Sequence, residues 1–366
     1  MDPYKPQSLP LDSLDWAKFV RLIGQANAEL ARYDGILQGI VNPQVLLSFL
    51  ATREAVLSSK IEGTQASLEE VLEYEAGQDV KPERQQDIRE VLNYREAMGQ
   101  AVEYLKHRPV CLDLLKRVHH TLMTDVRGQE RGRGKFRVTQ NWIGRADSTI
   151  QTAKFVPPDP VTMNRALANW EQYIHHDEQD RLVQLALIHG QFEIIHPFGD
   201  GNGRVGRLII PLVLYGYEAL SSPMFYLSEY FESNREIYYD RLFRITDVGD
   251  WDGWVQFFLT AIIEQAKQNS QKAKSILALY DRMKAQLPEI VATQFSVQTI
   301  DTLFDRPIFK SSDFIAQSKI PKATAMRILR ALQDHHVLRV FRAGGGRRPA
   351  ILVFHELITI TEGKNL

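Results

Sequence analysis

Two apolar segments joined by a glycine-rich turn constrain the fold of this 366-residue chain more than any other feature. Apolar side chains recur at roughly helical spacing through residues 182–195, and residues 208–214 are apolar throughout. This pattern predicts two buried helices. The turn between them, residues 196–207 with the sequence HPFGDGNGRVGR, should therefore lie where two core helices meet.

The composition of this turn favours a site for phosphate groups. Gly201 and Gly203 permit positive φ and let a ligand approach the backbone closely. The N–H groups of the turn and the positive end of the second helix can face an anion. Arg204 and Arg207 are three residues apart, so they share one helix face and can reach the same polyphosphate.

Asp200 and His196 add the groups that a phosphate pocket needs for chemistry. An aspartate is a hard oxygen ligand suited to Mg²⁺, and a histidine is a base whose unperturbed pKa lies near neutrality. A base, a metal ligand and two arginines could deprotonate a hydroxyl while neutralising charge on a transferring phosphoryl or nucleotidyl group. The turn thus indicates group transfer.

Two other interpretations of the turn stand beside this one. Gly201, Gly203 and Gly206 match G-x-G-x-x-G, but that dinucleotide fingerprint is meaningful only after a strand in a βαβ unit, and the preceding segment is helical in pattern. The second interpretation is a structural turn with a capping aspartate and an incidental histidine. The sequence contains no G-x-x-x-x-G-K-[ST] phosphate loop.

The twelve residues of the turn resemble, without a mismatch, the signature of Fic-domain proteins, H-P-F-x-[DE]-G-N-G-R-x-x-R. The resemblance implies a mainly α-helical Fic fold and AMPylation, the transfer of AMP from ATP to a protein hydroxyl with release of pyrophosphate. It also implies that His196 is the general base, that Phe198 anchors the loop in the core and that Asp200 holds Mg²⁺, with Mn²⁺ as a second candidate. The ATP- and phosphate-binding residues implied in the turn are Gly201, Asn202, Gly203, Arg204, Val205, Gly206 and Arg207.

Two tyrosines on a later predicted helix extend this set. In the Fic family a tyrosine of the matching helix flanks adenine, so the resemblance adds Tyr238 and Tyr239 to the ATP-binding residues. Aromatic residues at helical spacing are equally typical of a buried core, and that alternative stays open.

A second motif, SSKIEG at residues 58–63, ends a helix predicted from about residue 43, because glycine is a usual C-terminal signal. In isolation it would be a capped helix end with a solvated glutamate. The motif resembles [ST]-x-x-x-E-[GN], the inhibitory motif of many Fic proteins. The resemblance implies that Glu62 pairs with Arg207 in place of a phosphate oxygen of ATP. It also implies that Ser58 fixes the helix, which makes Ser58, Glu62 and Gly63 the predicted inhibitory residues.

Residues 136–155 lose the helical pattern and predict a β-hairpin. In the Fic family a hairpin at this place, ending in an apolar residue and Pro-Pro as residues 155–158 do, is the flap that holds a target segment by backbone pairing. Trp142, Ile143 and Gly144 are the candidates for its pairing edge. The arginine-rich loop before it, residues 128–135, is either a nucleic-acid patch or solvated surface.

The C-terminal segment differs from the rest in charge. Residues 306–350 contain ten Lys or Arg against two acidic residues, although the net charge of the chain is −1. Helical patterns followed by strands at residues 337–341 and 350–354 resemble a winged-helix domain. Such domains bind DNA, but they also dock proteins or dimerise, so DNA and a second copy of the chain are candidate partners. The predicted DNA contacts are Lys322, Thr324, Arg327, Arg347 and Arg348.

Length and composition complete the prediction. We expect an N-terminal helical region at residues 1–110, a Fic domain at 111–290 and a winged-helix domain at 291–366. The single cysteine, Cys111, excludes an internal disulfide and a cysteine-built zinc site. Adjacent histidines such as His119 and His120 are interpreted as ordinary helix residues. Because the chain lacks a signal peptide and an apolar run of transmembrane length, we expect a cytoplasmic protein without a membrane partner.

The expected function is that of a protein adenylyltransferase that modifies Ser, Thr or Tyr hydroxyls of target proteins and is restrained by Glu62. Self-modification and a homodimer stay open. One alternative is an enzyme that removes AMP or transfers another phosphate-containing group. A second alternative is a DNA-binding regulator whose Fic fold senses nucleotide, but the presence of His196 favours an enzyme.

Overall fold

A computed structural model describes residues 2–40, 43, 47–78, 80–145, 147–344 and 349–362, and most of them are α-helical, as predicted. No helix in these ranges is both long enough and apolar enough to cross a membrane. From the N-terminus to residue 290 the helices are Val20–Gln38, Ser48–Ile61, Leu68–Glu75, Pro82–Leu105, Leu112–Leu122, Pro160–Ile174, Arg181–Ile195, Asn202–Gly216, Ser228–Ser233, Arg235–Val248 and Trp251–Ile290, with a 3-10 turn at Trp16–Lys18.

The chain divides into two compact units, each built from three segments. The first unit is Met1–Asp34, Glu54–Gln65 and Arg89–Lys267, and the second is Gly35–Arg53, Ala66–Ile88 and Gln268–Leu366. Several long helices therefore contribute to both units. The predicted domain boundaries after residues 110 and 290 stay a prediction.

The core of the first unit is the helix Arg181–Ile195, which packs against Pro160–Ile174 and Asn202–Gly216. It begins where the Asp180 carboxylate accepts hydrogen bonds from the N–H groups of Leu182 and Val183, both at 2.9 Å. Nearly all of its side chains are buried. The two apolar segments of the sequence thus form the central helix pair.

The segment between Leu122 and Pro160 is less regular than the predicted hairpin. Its described residues form one antiparallel bridge, Ile143 with Phe155, in which the Ile143 N–H donates to Phe155 O at 2.8 Å. The ladder does not continue, because Thr152 turns back on Thr149 and its hydroxyl oxygen accepts the Thr149 N–H at 2.9 Å. Local turns replace the two strands that the sequence pattern predicted.

The second unit ends in a small antiparallel sheet flanked by helices. Its strands lie in the order first, third, second, and the third strand pairs Phe309 with Leu352 on one side and Val340 with Leu352 on the other. Arg347 and Arg348 lie outside the described residues. The elements from residue 296 onward are Ser296–Asp305, strand Ile308–Lys310, Ser311–Ser318, Lys322–Asp334, strands Arg339–Arg342 and Ile351–Val353, and His355–Glu362.

Three of these C-terminal elements were not predicted: the helix Ser296–Asp305, the strand Ile308–Lys310 and the final helix His355–Glu362. The three-residue strand is too short to show an alternating pattern. The preceding helix Trp251–Ile290 contains Pro288 in its last turn, where the missing N–H removes only one donor. The winged-helix assignment stays a prediction.

Candidate active site

His196 lies at the C-terminal end of the central helix Arg181–Ile195, in the left-handed conformation with φ 49°. Its Nδ1 is 3.3 Å from the carbonyl oxygen of Glu193. A carbonyl can only accept, so Nδ1 carries the ring proton and Nε2 is the basic nitrogen. Burial lowers the pKa of His196 to about 4. The imidazole is therefore neutral at physiological pH and able to take a proton.

Arg137 fastens the loop that His196 begins. Its backbone N–H donates to Pro197 O at 2.9 Å, and its Nε donates to His196 O at 3.0 Å. A second fastening comes from Asn202, whose Oδ1 accepts from Phe198 N at 2.8 Å and whose Nδ2 donates to Phe198 O at 2.9 Å. The Asn202 side chain thus positions the loop, which favours a structural role over the predicted phosphate contact.

His119 holds the same loop from the neighbouring helix Leu112–Leu122. Its ring stacks on Phe198 at a centroid distance of 3.8 Å, Nδ1 accepts the Gly134 N–H at 2.8 Å, and Nε2 lies 3.0 Å from Asp200 O. Because Nδ1 accepts, Nε2 is the donor to Asp200. The interpretation of His119 as an ordinary helix residue is therefore wrong. Local spacing could not predict this role, because Asp200 is 81 residues away in the sequence.

The Asp200 carboxylate faces the loop and is 38% exposed. Oδ1 accepts the Gly201 N–H at 2.6 Å, and Oδ2 lies 3.7 Å from Nη1 of Arg131. The described residues contain no cluster of three His, Cys, Asp or Glu that could enclose a metal. A single carboxylate still fits Mg²⁺ of the kind that nucleotide sites hold through one carboxylate, phosphates and water.

Arg207 is 1% exposed and makes three hydrogen bonds to the end of the helix Ser48–Ile61. Nε donates to Ser58 Oγ at 2.9 Å, and Nη2 donates to Ser58 O at 2.8 Å and to Glu62 Oε1 at 2.7 Å. Burial raises the pKa of Glu62, but the charge and hydrogen bond of Arg207 together with the charge of Arg204 outweigh it, and the net pKa is lowered. The pair is therefore ionised at neutral pH.

Glu62 also reaches the beginning of the helix Asn202–Gly216. A Cβ placed on Gly203 would lie 2.2 Å from Glu62 Oε1, so the carboxylate occupies the space over the first turn. That is where the positive end of a helix favours an anion. The predicted residues from His196 to Arg207 and from Ser58 to Gly63 thus meet at one place.

Two residues from later in the chain, Arg235 and Glu232, also bind the helix end that carries Glu62. Nη2 of Arg235 donates to Ile61 O at 2.6 Å, and Lys60 lies 3.2 Å from Glu232. Gly63 takes the positive φ of 98° that ends the helix. These contacts fix the position of the carboxylate.

Glu193 is an acidic residue of the site that the sequence did not identify. Burial raises the pKa of Glu193 to about 8, and Oε1 makes no hydrogen bond to any described residue. This oxygen faces Gly206, where an added Cβ would lie 2.1 Å away. The one available signal was an isolated acid within the apolar residues 182–195.

Two family models match the chain. One, described as Fic/DOC family N-terminal, covers residues 20–103, and the other, described as Fic/DOC family, covers residues 109–214. Together they account for more than half of the sequence.

The chain belongs to the Fic/DOC family. A probable protein adenylyltransferase of Aquifex aeolicus is similar to it, with 37% identity over 71 residues, 19% of this chain and 22% of the relative. The protein adenylyltransferase fic-1 of Caenorhabditis briggsae is 26% identical over 133 residues, 35% of this chain and 24% of the relative. The chain thus matches less than a quarter of the length of either curated relative.

Solved structures show the Fic fold. A Fic family protein from Desulfovibrio desulfuricans G20 has a TM-score of 0.60 at 20% identity, covering 96% of this chain and 98% of its own. Fic-1 from Caenorhabditis elegans has a TM-score of 0.54 at 18% identity, covering 69% of this chain and 71% of its own.

The two tyrosines predicted to flank adenine in this Fic protein differ in exposure. Tyr238 is 1% exposed, its hydroxyl lies 3.0 Å from His189 Nε2, and its ring stacks on Phe231 at 4.6 Å. These contacts favour the core alternative for Tyr238. Tyr239 is 37% exposed and stays the predicted adenine contact.

The predicted pairing edge of the Fic flap is exposed. Trp142 and Ile143 are 45% and 36% exposed, and the Trp142 indole donates to Ser148 O at 2.9 Å. Gly144 is close to Ser148, where an added Cβ would lie 2.6 Å from Oγ. The backbone of Ile143 is paired with Phe155, and the indole of Trp142 is held by the following turn, so the use of this edge to pair a target stays a prediction.

Proposed function

We propose that the chain is a protein adenylyltransferase that transfers AMP from ATP to a Ser, Thr or Tyr hydroxyl of a target protein. The observation that carries the proposal is the neutral His196 imidazole at the beginning of the turn that leads into the helix Asn202–Gly216, which carries the two arginines Arg204 and Arg207. The names of the similar proteins support it.

In the proposed reaction, Nε2 of His196 takes the proton of the target hydroxyl. The hydroxyl oxygen attacks the α-phosphorus of ATP, an oxygen–phosphorus bond forms, and the bond from that phosphorus to the α,β-bridging oxygen breaks. Pyrophosphate leaves with the electron pair. Arg204, Arg207 and the N–H groups at the start of the helix Asn202–Gly216 stabilise the charge that moves onto it.

Asp200 would hold Mg²⁺, and Mn²⁺ suits the same ligand. The ion would supply charge neutralisation between phosphates. Asp200 is fit for this because its carbonyl is fixed by His119 while its carboxylate faces the loop.

We further propose that Glu62 inhibits the enzyme. Its carboxylate lies over Gly203 at the start of the helix Asn202–Gly216 and accepts a hydrogen bond from Arg207. The terminal phosphate of ATP would therefore clash with this carboxylate and be repelled by its negative charge. Residues 58–64 are called the inhibitory segment below. An ionised carboxylate in the site could also orient water for removal of AMP, and loss of de-AMPylation in Glu62→Gly would support that alternative activity.

The target segment is proposed to pair with the exposed flap edge at Trp142, Ile143 and Gly144. Backbone pairing would place a hydroxyl near His196 and read few side chains. The same pairing would serve a segment of a separate target protein, a segment of the chain itself in self-modification, or a second copy of the chain in a homodimer. A location in the cytoplasm, where ATP is supplied, is part of the proposal.

The C-terminal part of the second unit is proposed to be a winged-helix module that binds DNA. Lys322, Arg327 and Arg330 are exposed on the helix Lys322–Asp334, which supports a basic surface. Charge reversal at Arg347 and Arg348 should abolish DNA binding and leave AMP transfer intact. Unchanged DNA binding after this charge reversal would contradict the proposed role of the module.

The position of the label decides the reaction. ATP labelled at the α-phosphate should label protein in the presence of Mg²⁺, whereas ATP labelled at the γ-phosphate should not. Labelling from the γ-position would instead show phosphoryl transfer and overturn the proposal.

A further inference from the structure

Arg204 is held in a different way from Arg207. Its side chain is 5% exposed and Nη1 lies 3.2 Å from Oε2 of Glu90, yet neither Nε nor Nη1 makes a hydrogen bond to any described residue. Nη2 contacts the sulfur of Met123 at 3.5 Å. Buried donors without acceptors are costly, so these two donors are suited to a ligand that brings oxygen atoms.

Glu90, on the helix Pro82–Leu105, supplies the compensating charge. It is 4% exposed, and Oε2 accepts a short hydrogen bond of 2.6 Å from the hydroxyl of Thr64. Oε1 accepts from Nη2 of Arg127 at 3.3 Å. Thr64 and Arg204 thus share one carboxylate oxygen, and the hydroxyl takes the hydrogen bond while the guanidinium keeps only the ion pair.

Thr64 is the last residue of the inhibitory segment and is 2% exposed. The segment therefore reaches both arginines, Arg207 through Ser58 and Glu62, and Arg204 through Thr64 and Glu90. We propose that Glu90 is a positioning residue for Arg204 and that Thr64 couples it to the inhibitory segment. This inference rests on the proposed function.

The coupling has a direction. While the segment is in place, the Thr64 hydroxyl holds Oε2 in an orientation in which Nη1 of Arg204 lies 3.2 Å away but makes no hydrogen bond to it. When the segment leaves, the Glu90 carboxylate is free to turn so that Oε2 accepts from Nη1 of Arg204, and the remaining donors of Arg204 can bind phosphate oxygens. Glu90 thereby contributes to both closure of the site and binding of ATP.

The first test is a double-mutant cycle on Thr64 and Glu62, read as the affinity for α,β-methylene ATP with Mg²⁺ by isothermal titration calorimetry. This analogue cannot give up AMP, so the measurement does not require catalysis. Thr64→Val should tighten binding about tenfold in the otherwise unchanged chain, because a hydrogen bond to a charged group that holds the segment is lost. The same change should have no effect in Glu62→Gly, because the carboxylate that the segment holds at the start of the helix Asn202–Gly216 is absent there.

Thr64→Ser, which keeps the hydroxyl, should behave as the unchanged chain. Equal effects of Thr64→Val with and without Glu62 would overturn the coupling.

The second test addresses Glu90 in the Glu62→Gly background. Glu90→Gln should weaken binding of the same analogue about tenfold, because Arg204 loses the charge that holds it. Glu96→Gln, an exposed glutamate on the same helix, is the matched control and should leave the affinity unchanged. The melting temperature and the fitted stoichiometry of each variant report its folded fraction, so a loss of folded protein is separated from a change in the affinity of the folded protein.

Unchanged or tighter binding in Glu90→Gln would overturn the positioning role. If Glu62→Gly binds the analogue but transfers no AMP from ATP, the proposed function fails. The affinities would still decide the role of Glu90.

Discussion

Glu62 Oε1 accepts a 2.7 Å hydrogen bond from Arg207, an arginine whose side chain is 1% exposed. A charge-assisted bond of this length to a buried guanidinium is among the stronger polar contacts a protein can make. The arginine needs a counter-charge there, and in this structure a side chain of the same chain supplies it. A nucleotide phosphate would have to displace that carboxylate.

Ser58 and Ser59 provide a matched pair for the inhibitory segment. Ser58→Ala removes the 2.9 Å hydrogen bond from Nε of Arg207 and should raise AMP incorporation roughly three- to tenfold. Ser59 is equally buried, and its hydroxyl makes no hydrogen bond to any described residue. Ser59→Ala should therefore leave activity unchanged, and equal activation by both substitutions would contradict the specific role of Ser58.

The pH dependence of AMP transfer should report the low pKa of His196, which burial brings to about 4 from 6.5. A base works in its deprotonated form, so activity of Glu62→Gly should hold as pH falls from 8 through 6.5 and decline only well below that value. Removal of Glu62 lowers the pKa further, since its negative charge raises it. Rates measured with saturating Mg²⁺ and ATP would test this, and a half-maximal rate near 6.5 would argue against it.

Glu193 should make stability depend on pH. Its pKa in the fold is about 8, above the 4.5 of an exposed glutamate, so the fold binds this proton more tightly and loses stability as pH rises from about 4.5 to 8. The melting temperature of Glu193→Gln minus that of the unchanged chain should therefore be larger at pH 9 than at pH 5, by roughly 2 °C or more. Thermal unfolding at the two pH values measures the difference, and a constant difference would refute the assignment.

His119 should act through the position of Asp200. His119→Phe keeps a ring against Phe198 but loses the hydrogen bonds to Gly134 and Asp200, and transfer in Glu62→Gly should fall about tenfold or more. The concentration of Mg²⁺ for half-maximal rate should rise, because the metal ligand is less well fixed. His120→Phe is the control, since His120 is exposed. If the Mg²⁺ concentration for half-maximal rate is unchanged in His119→Phe, His119 does not position Asp200 for metal binding.

The parts of the candidate site that could be identified from the sequence are those contained in short contiguous motifs. Residues 196–207 and 58–63 each have a fixed spacing, and Glu62 Oε1 lies 2.7 Å from Nη2 of Arg207 in the fold, while the inhibitory role of that contact stays a prediction. Local spacing also predicted the central helices, because their apolar periodicity is strong.

The supporting residues could not be predicted in this way. His119, Glu90 and Glu193 acquire their roles from partners in other elements, and nothing near them in sequence distinguishes them from ordinary helix residues. The flap was predicted as a β-hairpin because β-branched and aromatic residues flank a turn-prone stretch, whereas turns held by Thr149 and Thr152 interrupt the ladder.

Incorporation of AMP from α-labelled ATP with Mg²⁺ tests the central claim most directly, in the unchanged chain, in Glu62→Gly and in Glu62→Gly with His196→Ala. The account predicts weak labelling of the unchanged chain or its targets, strong labelling by Glu62→Gly and loss of that labelling when His196 is also replaced. Equal silence of all three variants despite ATP binding would contradict it, as would labelling that survives His196→Ala.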